Sequence, residues 1–307
     1  MAERLRFGRL ELAVREDLTP ADEFRVPAFD EQYYLDPVRL EDLAAAVQVR
    51  IPAFLCGPPG SGKTSVVLQL AALLNQPAVR VNLGGQPHVA DLLGEKALTV
   101  EPASGQAVTE WRDGPVTEAV RRGWWLILDE YTAMPPSVTL RLQGLLEVGG
   151  SLVLAENGGE VVEPHPSFRL FATDNTTGRG DDTGLYQGTQ AQNDANLDRF
   201  VVFACDYPPP AEEAAILVRK TGIPAKVARM MVEVATLVRS GMQKSETFCT
   251  LGTRRLLAWA SFAAAYANGH AYTAPAARAY RVAVRSKLGA EDAAYVDGVA
   301  KRVGFDL

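Results

Sequence analysis

The stretch GPPGSGKT, Gly57 to Thr64, sets a lysine and a hydroxyl directly behind a glycine-rich turn, a spacing suited to gripping phosphate. It matches the pattern G-x-x-x-x-G-K-[ST], with the apolar run AFLC before it and the helical run SVVLQLAALL after it. Glycines let successive backbone N–H groups turn inward, and a helix N-terminus adds partial positive charge. Gly57, Pro58, Pro59, Gly60, Ser61 and Gly62 form the candidate cradle, and Ser65 completes the binding run. Lys63 would reach the β- and γ-phosphates, and Thr64 would hold a magnesium ion. The second candidate is the carboxylate pair Asp129 and Glu130, which ends the apolar run WWLILDE. A buried parallel strand delivers its last residues to the carboxyl edge of its sheet, where a phosphate loop also opens. Asp129 would then hold magnesium through its water shell, and Glu130 would polarise an attacking water. A third apolar run, FRLFATDN, ends in Asn175. Its amide either orients water or contacts the γ-phosphate, or else closes a local turn.

The runs that position these residues alternate in type. AFLCG, AVRVNL, WWLILDE and FRLFATDN are β-rich, and KTSVVLQLAALLN and SVTLRLQGLLE between them carry helical periodicity. The alternation predicts an α/β core over residues 37–207, a parallel sheet flanked by crossover helices. After DYPPP, at 206–210, the pattern turns helical throughout, with PAEEAAILVRKTG, PAKVARMMVEVATLVRSG and GTRRLLAWASFAAAYANG each ending at a glycine. A small all-α lid domain is therefore expected over 208–307. Residues 1–36 mix charge and proline without sustained periodicity and read as an irregular lead-in segment.

Composition narrows the function classes. A chain of 307 residues can bury a large core without staples. Cys56, Cys205 and Cys249 are far apart and lack metal-ligand spacing, which points to reduced thiols. MAERLRFGRLELAVREDL scatters charge through its apolar residues and lacks a signal-peptide core, so a cytoplasmic location is expected. LLAWASFAAAYA, at 256–267, is too short to cross a bilayer and reads as a buried helix. A net charge of −6 argues against a chain that coats nucleic acid, and Arg278, Arg281 and Arg285 read as a solvated helix face. His88 and His165 have no second ligand at useful spacing and read as ordinary surface or turn residues.

The phosphate loop, LILDE, FATDN, LDRF and GTRR occur in the order and approximate spacing of an AAA+ ATPase. DLLGE, DGPVTEA, LLE and NLDRF are similar to motifs of its MoxR branch. Within that branch VRVNL, VTEWRDG, PHPSFRLFATDNT and GDDTGLYQGTQAQNDANLDRF resemble the CobS-like clade, which includes the ATPase subunit of the aerobic cobaltochelatase. The resemblance covers roughly residues 27–265. GPPGSGKT and ATDN depart from the HGTGKS-like and ATAN-like forms expected of a close member.

The resemblance implies ATP and Mg²⁺ as ligands and a homo-oligomeric ring, usually a hexamer, with nucleotide at subunit interfaces. It implies that the polar loop before LDRF lies at that interface and that Arg199 is an arginine finger reaching the neighbour's γ-phosphate. Simple pairing of Arg199 with Asp198 or another acid is the alternative. Arg254 matches the family's lid arginine, with Arg255 beside it on the same helix, and EQYYLDP, where Tyr33, Tyr34 or Leu35 could stack, is where such proteins seat adenine. Residues 89–113 and the hairpin-like SLVLAENGGEVV, at 151–162, match two MoxR insertions that signal nucleotide state to partners. Three functions follow. The first is the motor of cobalt insertion, with a von Willebrand A partner and a large chelatase subunit. The second is a remodeller acting with a von Willebrand A protein on another client, and the third a nucleic-acid or phage accessory ATPase.

Overall fold

The computed structural model describes residues 3–85, 87–100, 105–176, 194–268 and 274–307. Its strands are β1 (Arg4–Phe7), β2 (Leu10–Ala13), β3 (Ala53–Cys56), β4 (Ala78–Asn82), β5 (Gly94–Val100), β6 (Ala107–Asp113), β7 (Trp125–Asp129), β8 (Leu152–Leu154), β9 (Glu160–Val162), β10 (Arg169–Asp174) and β11 (Val201–Ala204). The helices are α1 (Pro20–Glu23), α2 (Pro37–Val49), α3 (Lys63–Leu73), α4 (Val89–Leu93), α5 (Pro115–Arg122), α6 (Pro136–Leu146), α7 (Asp194–Leu197), α8 (Pro210–Thr221), α9 (Ala225–Gln243), α10 (Thr253–Asn268), α11 (Pro275–Ala283) and α12 (Ala290–Val303). They form two compact units. One comprises Met1–Phe29, Leu35–Cys56 and Lys63–Ala204, and the other Asp30–Tyr34, Gly57–Gly62 and Cys205–Leu307.

The first unit is built on a five-stranded sheet in the order β11-β3-β10-β7-β4, with every pairing parallel. Strands β3 and β7 are buried along their whole length, which is why they read as continuous apolar runs rather than alternating ones. One sheet face packs Phe54, Val81, Leu128 and Ala172 against Val116, Val120 and Leu142 of the crossover helices. The register aligns Asn82 with Asp129, Asp129 with Thr173, and Asp174 with Cys56. Strand ends carrying polar side chains therefore lie in one row at the carboxyl edge, as the alternating pattern requires.

Two antiparallel hairpins decorate this unit. β5 pairs with β6 from Gly94↔Asp113 to Val100↔Ala107, and β8 pairs with β9 around a turn holding Gly158 and Gly159 in the left-handed region. They occupy the two segments singled out as insertions.

The N-terminal segment corrects an expectation. Instead of an irregular lead-in, β1 and β2 form an antiparallel hairpin turned at Gly8, which has φ +58°. It is followed by α1, closed at Thr19 by a reciprocal capping box with Asp22. Four-residue strands are too short to show period-2 alternation against a charged background. The segment is anchored by burial of Phe7, Leu12 and Asp22. Burial works against ionisation of Asp22, but hydrogen bonds from Thr19, Trp124 and Arg122 outweigh it and lower its pKa to about 2.

The second unit is helical. Helices α8 to α12 close around Trp259, Tyr280, Leu256, Met231 and Val296. Trp259 packs at a tilt against both Tyr280 and Phe305, with centroids 5.3 and 4.9 Å apart. The apolar run 256–267 lies in α10 but is not buried throughout: Leu256, Trp259, Ala260 and Ala263 face the core, whereas Phe262 is exposed. Among the described residues no helix is long and apolar enough to cross a membrane.

Candidate nucleotide site

Within the first unit, α3 starts at Lys63, so the lysine and threonine of the motif occupy its first turn. Lys63 Nζ lies 3.1 Å from Asn175 Oδ1, just past β10. Thr64 Oγ1 lies 3.3 Å from Asp129 Oδ1, at the end of β7. Four of the residues marked in the sequence thus meet at the sheet's carboxyl edge. Ser65 follows them in the same first turn and is exposed.

Asp129 is held more firmly than the sequence suggested. Thr173 of β10 donates its hydroxyl to Oδ1, and the half-exposed Arg80 of β4 donates Nε and Nη2 to Oδ2. Both partners sit on strands flanking β7, so a register argument could have found them. In VRVNL the β character and the resemblance to the CobS-like clade are legible, but not the partner of Arg80. The adjacent Asp174 has a different task. Buried, it accepts from the Thr132 backbone and hydroxyl at 2.8 and 2.7 Å, which ties the turn after β7 to β10.

Glu130 departs from the strand into the left-handed region, with φ +58° and ψ +49°. A glutamate there is uncommon, and such strain concentrates where a side chain must be aimed. Its carboxylate lies over Gly84; a Cβ on Gly84 would come within 1.7 Å of Glu130 Oε2. Glycine at 84 therefore leaves room for the glutamate.

The Arg199 side chain is 22% exposed and is engaged within the chain. Its Nε donates to Glu147, the acid of the LLE motif. Of the alternatives weighed from sequence, an acidic partner is present, and it is Glu147. The next residue anchors it. The Phe200 ring sits 5.9 Å from Phe54 and 5.3 Å from Tyr131 in a buried aromatic cluster. Phe200→Ala should destabilise the protein by about 3–5 kcal/mol in urea denaturation, the usual cost of emptying an aromatic core site. The polar loop at 177–193 lies outside the described residues.

In the second unit, Gly57, Gly60 and Gly62 have φ +150°, +79° and +90°, conformations that explain the glycines. The Ser61 hydroxyl is buried with no hydrogen-bond partner among the described residues. A phosphate oxygen is a fitting acceptor for it. The Tyr33 hydroxyl, from one of the three candidates in EQYYLDP, donates to the Gly62 carbonyl of the loop at 3.3 Å. Arg254, at the start of α10, lies against Gly60; a Cβ on Gly60 would be 3.5 Å from both Arg254 N and Cβ. Arg255 turns away and donates to Cys249 Sγ at 3.6 Å.

The three cysteines are buried thiols with no disulfide among them, and burial pushes the Cys56 and Cys249 thiols up. His88 caps α4, and His165 Nδ1 accepts from the Ser167 backbone at 3.1 Å.

A parallel sheet with a phosphate loop before α3, acids ending β7 and a helical unit later in the chain defines an AAA+ ATPase. The AAA domain model of the dynein-related subfamily matches residues 52–190, and the CbbQ/NirQ/NorQ C-terminal model matches 213–303. The chain is 36% identical over 265 residues to the aerobic cobaltochelatase subunit CobS of a Sinorhizobium species, spanning 81% of this chain and 79% of that one. It is 32% identical to protein CbbQ of Hydrogenophilus thermoluteolus, covering 72% and 77% of the two chains. Protein NorQ of Paracoccus denitrificans is 33% identical, with 69% and 74% covered. The Thermotoga maritima RuvB Holliday junction branch migration motor has the same fold, with a TM-score of 0.53 and 14% identity over 84% of this chain and 73% of that one. The chain belongs to the MoxR family of AAA+ ATPases, in its CobS-like branch, and hydrolyses ATP.

Proposed function

We propose that this chain is the ATP-driven motor of a metal-insertion complex, acting as a ring on a partner that carries the chelatase chemistry. The observation that carries the reading is the meeting of Lys63, Thr64, Asp129 and Asn175 at one sheet edge. It is joined by the 36% identity to CobS over most of both chains. In this reading the loop from Gly57 to Ser65 binds the phosphates, and Arg254 reads the nucleotide from its own subunit. Asn175 orients the water or γ-phosphate, and Arg199 acts on the neighbour's nucleotide.

The oxygen donors of Thr64 and Asp129 suit a hard cation that keeps several waters, as magnesium does. When bound there, magnesium would neutralise charge on the β- and γ-phosphates. Lys63 supplies the fixed positive charge beside them. Glu130 takes the proton of the attacking water, and the Asp129 carboxylate is kept in place for the metal by Thr173 and Arg80.

Lys63→Ala should weaken nucleotide binding about 10²-fold or more, since two charge-assisted hydrogen bonds of about 1.5–3 kcal/mol each are lost. Equilibrium titration with a fluorescent, non-hydrolysable ATP analogue, which carries both the β- and γ-phosphates, checks this. The client is tested by loading Glu130→Gln with ATP in lysate of the native host and identifying what co-purifies. A von Willebrand A protein together with a very large chelatase subunit supports cobalt insertion. The same partner with a different enzyme replaces it by a remodelling role on that enzyme.

A further inference from the structure

The helical unit hides a charge that the nucleotide chemistry does not use. Glu213 of α8 is fully buried, and Arg239 of α9 grips it with two hydrogen bonds of 2.8 Å. The Thr253 hydroxyl, at the first residue of α10, donates to the same carboxylate. A buried ion pair is poor value as a stabiliser, because desolvation takes back much of what the pairing gives and apolar packing often does as well. Arginine does here what leucine cannot, since its planar fork serves several partners at once. Beyond Glu213, Arg239 donates Nε to the Leu251 carbonyl at 2.9 Å and lies over the Tyr207 ring at 3.7 Å.

Both of those partners lead to the phosphate loop. Tyr207 donates its hydroxyl to the Pro59 carbonyl at 3.1 Å. Leu251 precedes Gly252, where a Cβ would come within 2.4 Å of the same Pro59 oxygen, and the turn continues into Arg254 beside Gly60. In a planar trans peptide the carbonyl and the following N–H point in opposite directions. Holding the Pro59 carbonyl on Tyr207 therefore fixes where the Gly60 N–H points, and that N–H belongs to the cradle.

We propose that Glu213, Arg239 and Tyr207 are positioning residues for nucleotide, an ion-paired brace that presets the Pro59–Gly60 peptide and the Arg254 turn. The proposal rests on the reading of Gly57–Thr64 as the nucleotide loop. Tyr207→Phe in the full-length protein removes the bond to Pro59 and keeps the ring under Arg239. Fluorescent-ADP titration should show its dissociation constant raised about two- to tenfold, the effect of one neutral hydrogen bond. Arg239→Lys keeps a charge for Glu213 but loses the flat stacking and the fork, and should weaken ADP binding at least as much. Thermal melts of the same samples separate a merely structural role, which lowers the unfolding midpoint and leaves the affinity of folded protein unchanged. Wild-type affinity in both variants overturns the brace while leaving the nucleotide reading intact. Failure of the wild-type protein itself to bind ADP overturns that reading instead.

Discussion

Replacing Arg199 with alanine should lower ATP turnover about 10³- to 10⁵-fold, the range observed for arginines that complete a phosphoryl-transfer site in trans. Nucleotide affinity measured on the variant should change little, because Arg199 lies away from its own subunit's loop chemistry in this reading. The geometry adds a condition. In the single chain the Arg199 guanidinium is paired with Glu147, so a finger must leave or share that partner when a neighbour's nucleotide arrives. Exposed pairs of this kind are worth about 0–1 kcal/mol, small beside a trans contact to a triphosphate. Phe200, packed on Phe54 and Tyr131, keeps the backbone under Arg199 fixed while the side chain changes partner. Steady-state ATPase assays on Arg199→Ala, with ADP titration alongside, check the prediction.

Glu130→Gln should bind ATP with near wild-type affinity and hydrolyse it about 10²- to 10⁴-fold more slowly, the usual contribution of a positioned general base. The substitution keeps size and hydrogen-bonding reach and removes only the ability to take a proton. Glu130 leaves β7 with φ +58°, and its carboxylate rests over Gly84, where any side chain would collide with it. Single-turnover hydrolysis measured beside nucleotide affinity separates the two effects. A parallel loss of affinity would assign Glu130 to binding rather than to water activation.

Much of this site is legible from sequence because its chemistry demands fixed residue types at fixed spacing. Gly60 and Gly62 need left-handed conformations, and Lys63 and Thr64 must open a helix directly behind them. β7 and β10 are buried strands, so their apolar runs announce Asp129 and Asn175 at their ends. What was missed depends on contacts between distant segments. Arg80 lies 49 residues from Asp129, and its role follows only from the adjacency of β4 and β7. Glu213 in PAEEAAIL reads as an ordinary acidic first turn of a helix, and nothing local says that Arg239 and Thr253 will enclose it. The N-terminal hairpin escaped because each of its strands spans only four residues.

Mixing Lys63→Ala subunits with Arg199→Ala subunits tests the central claim, ATP hydrolysis completed between neighbours in a ring. Each variant alone should be nearly inactive. In mixed assemblies, confirmed by size measurement, some interfaces would join an intact phosphate loop to an intact Arg199, and the account predicts partial recovery of ATPase activity. Mixed assemblies that form and remain as inactive as either parent would contradict it.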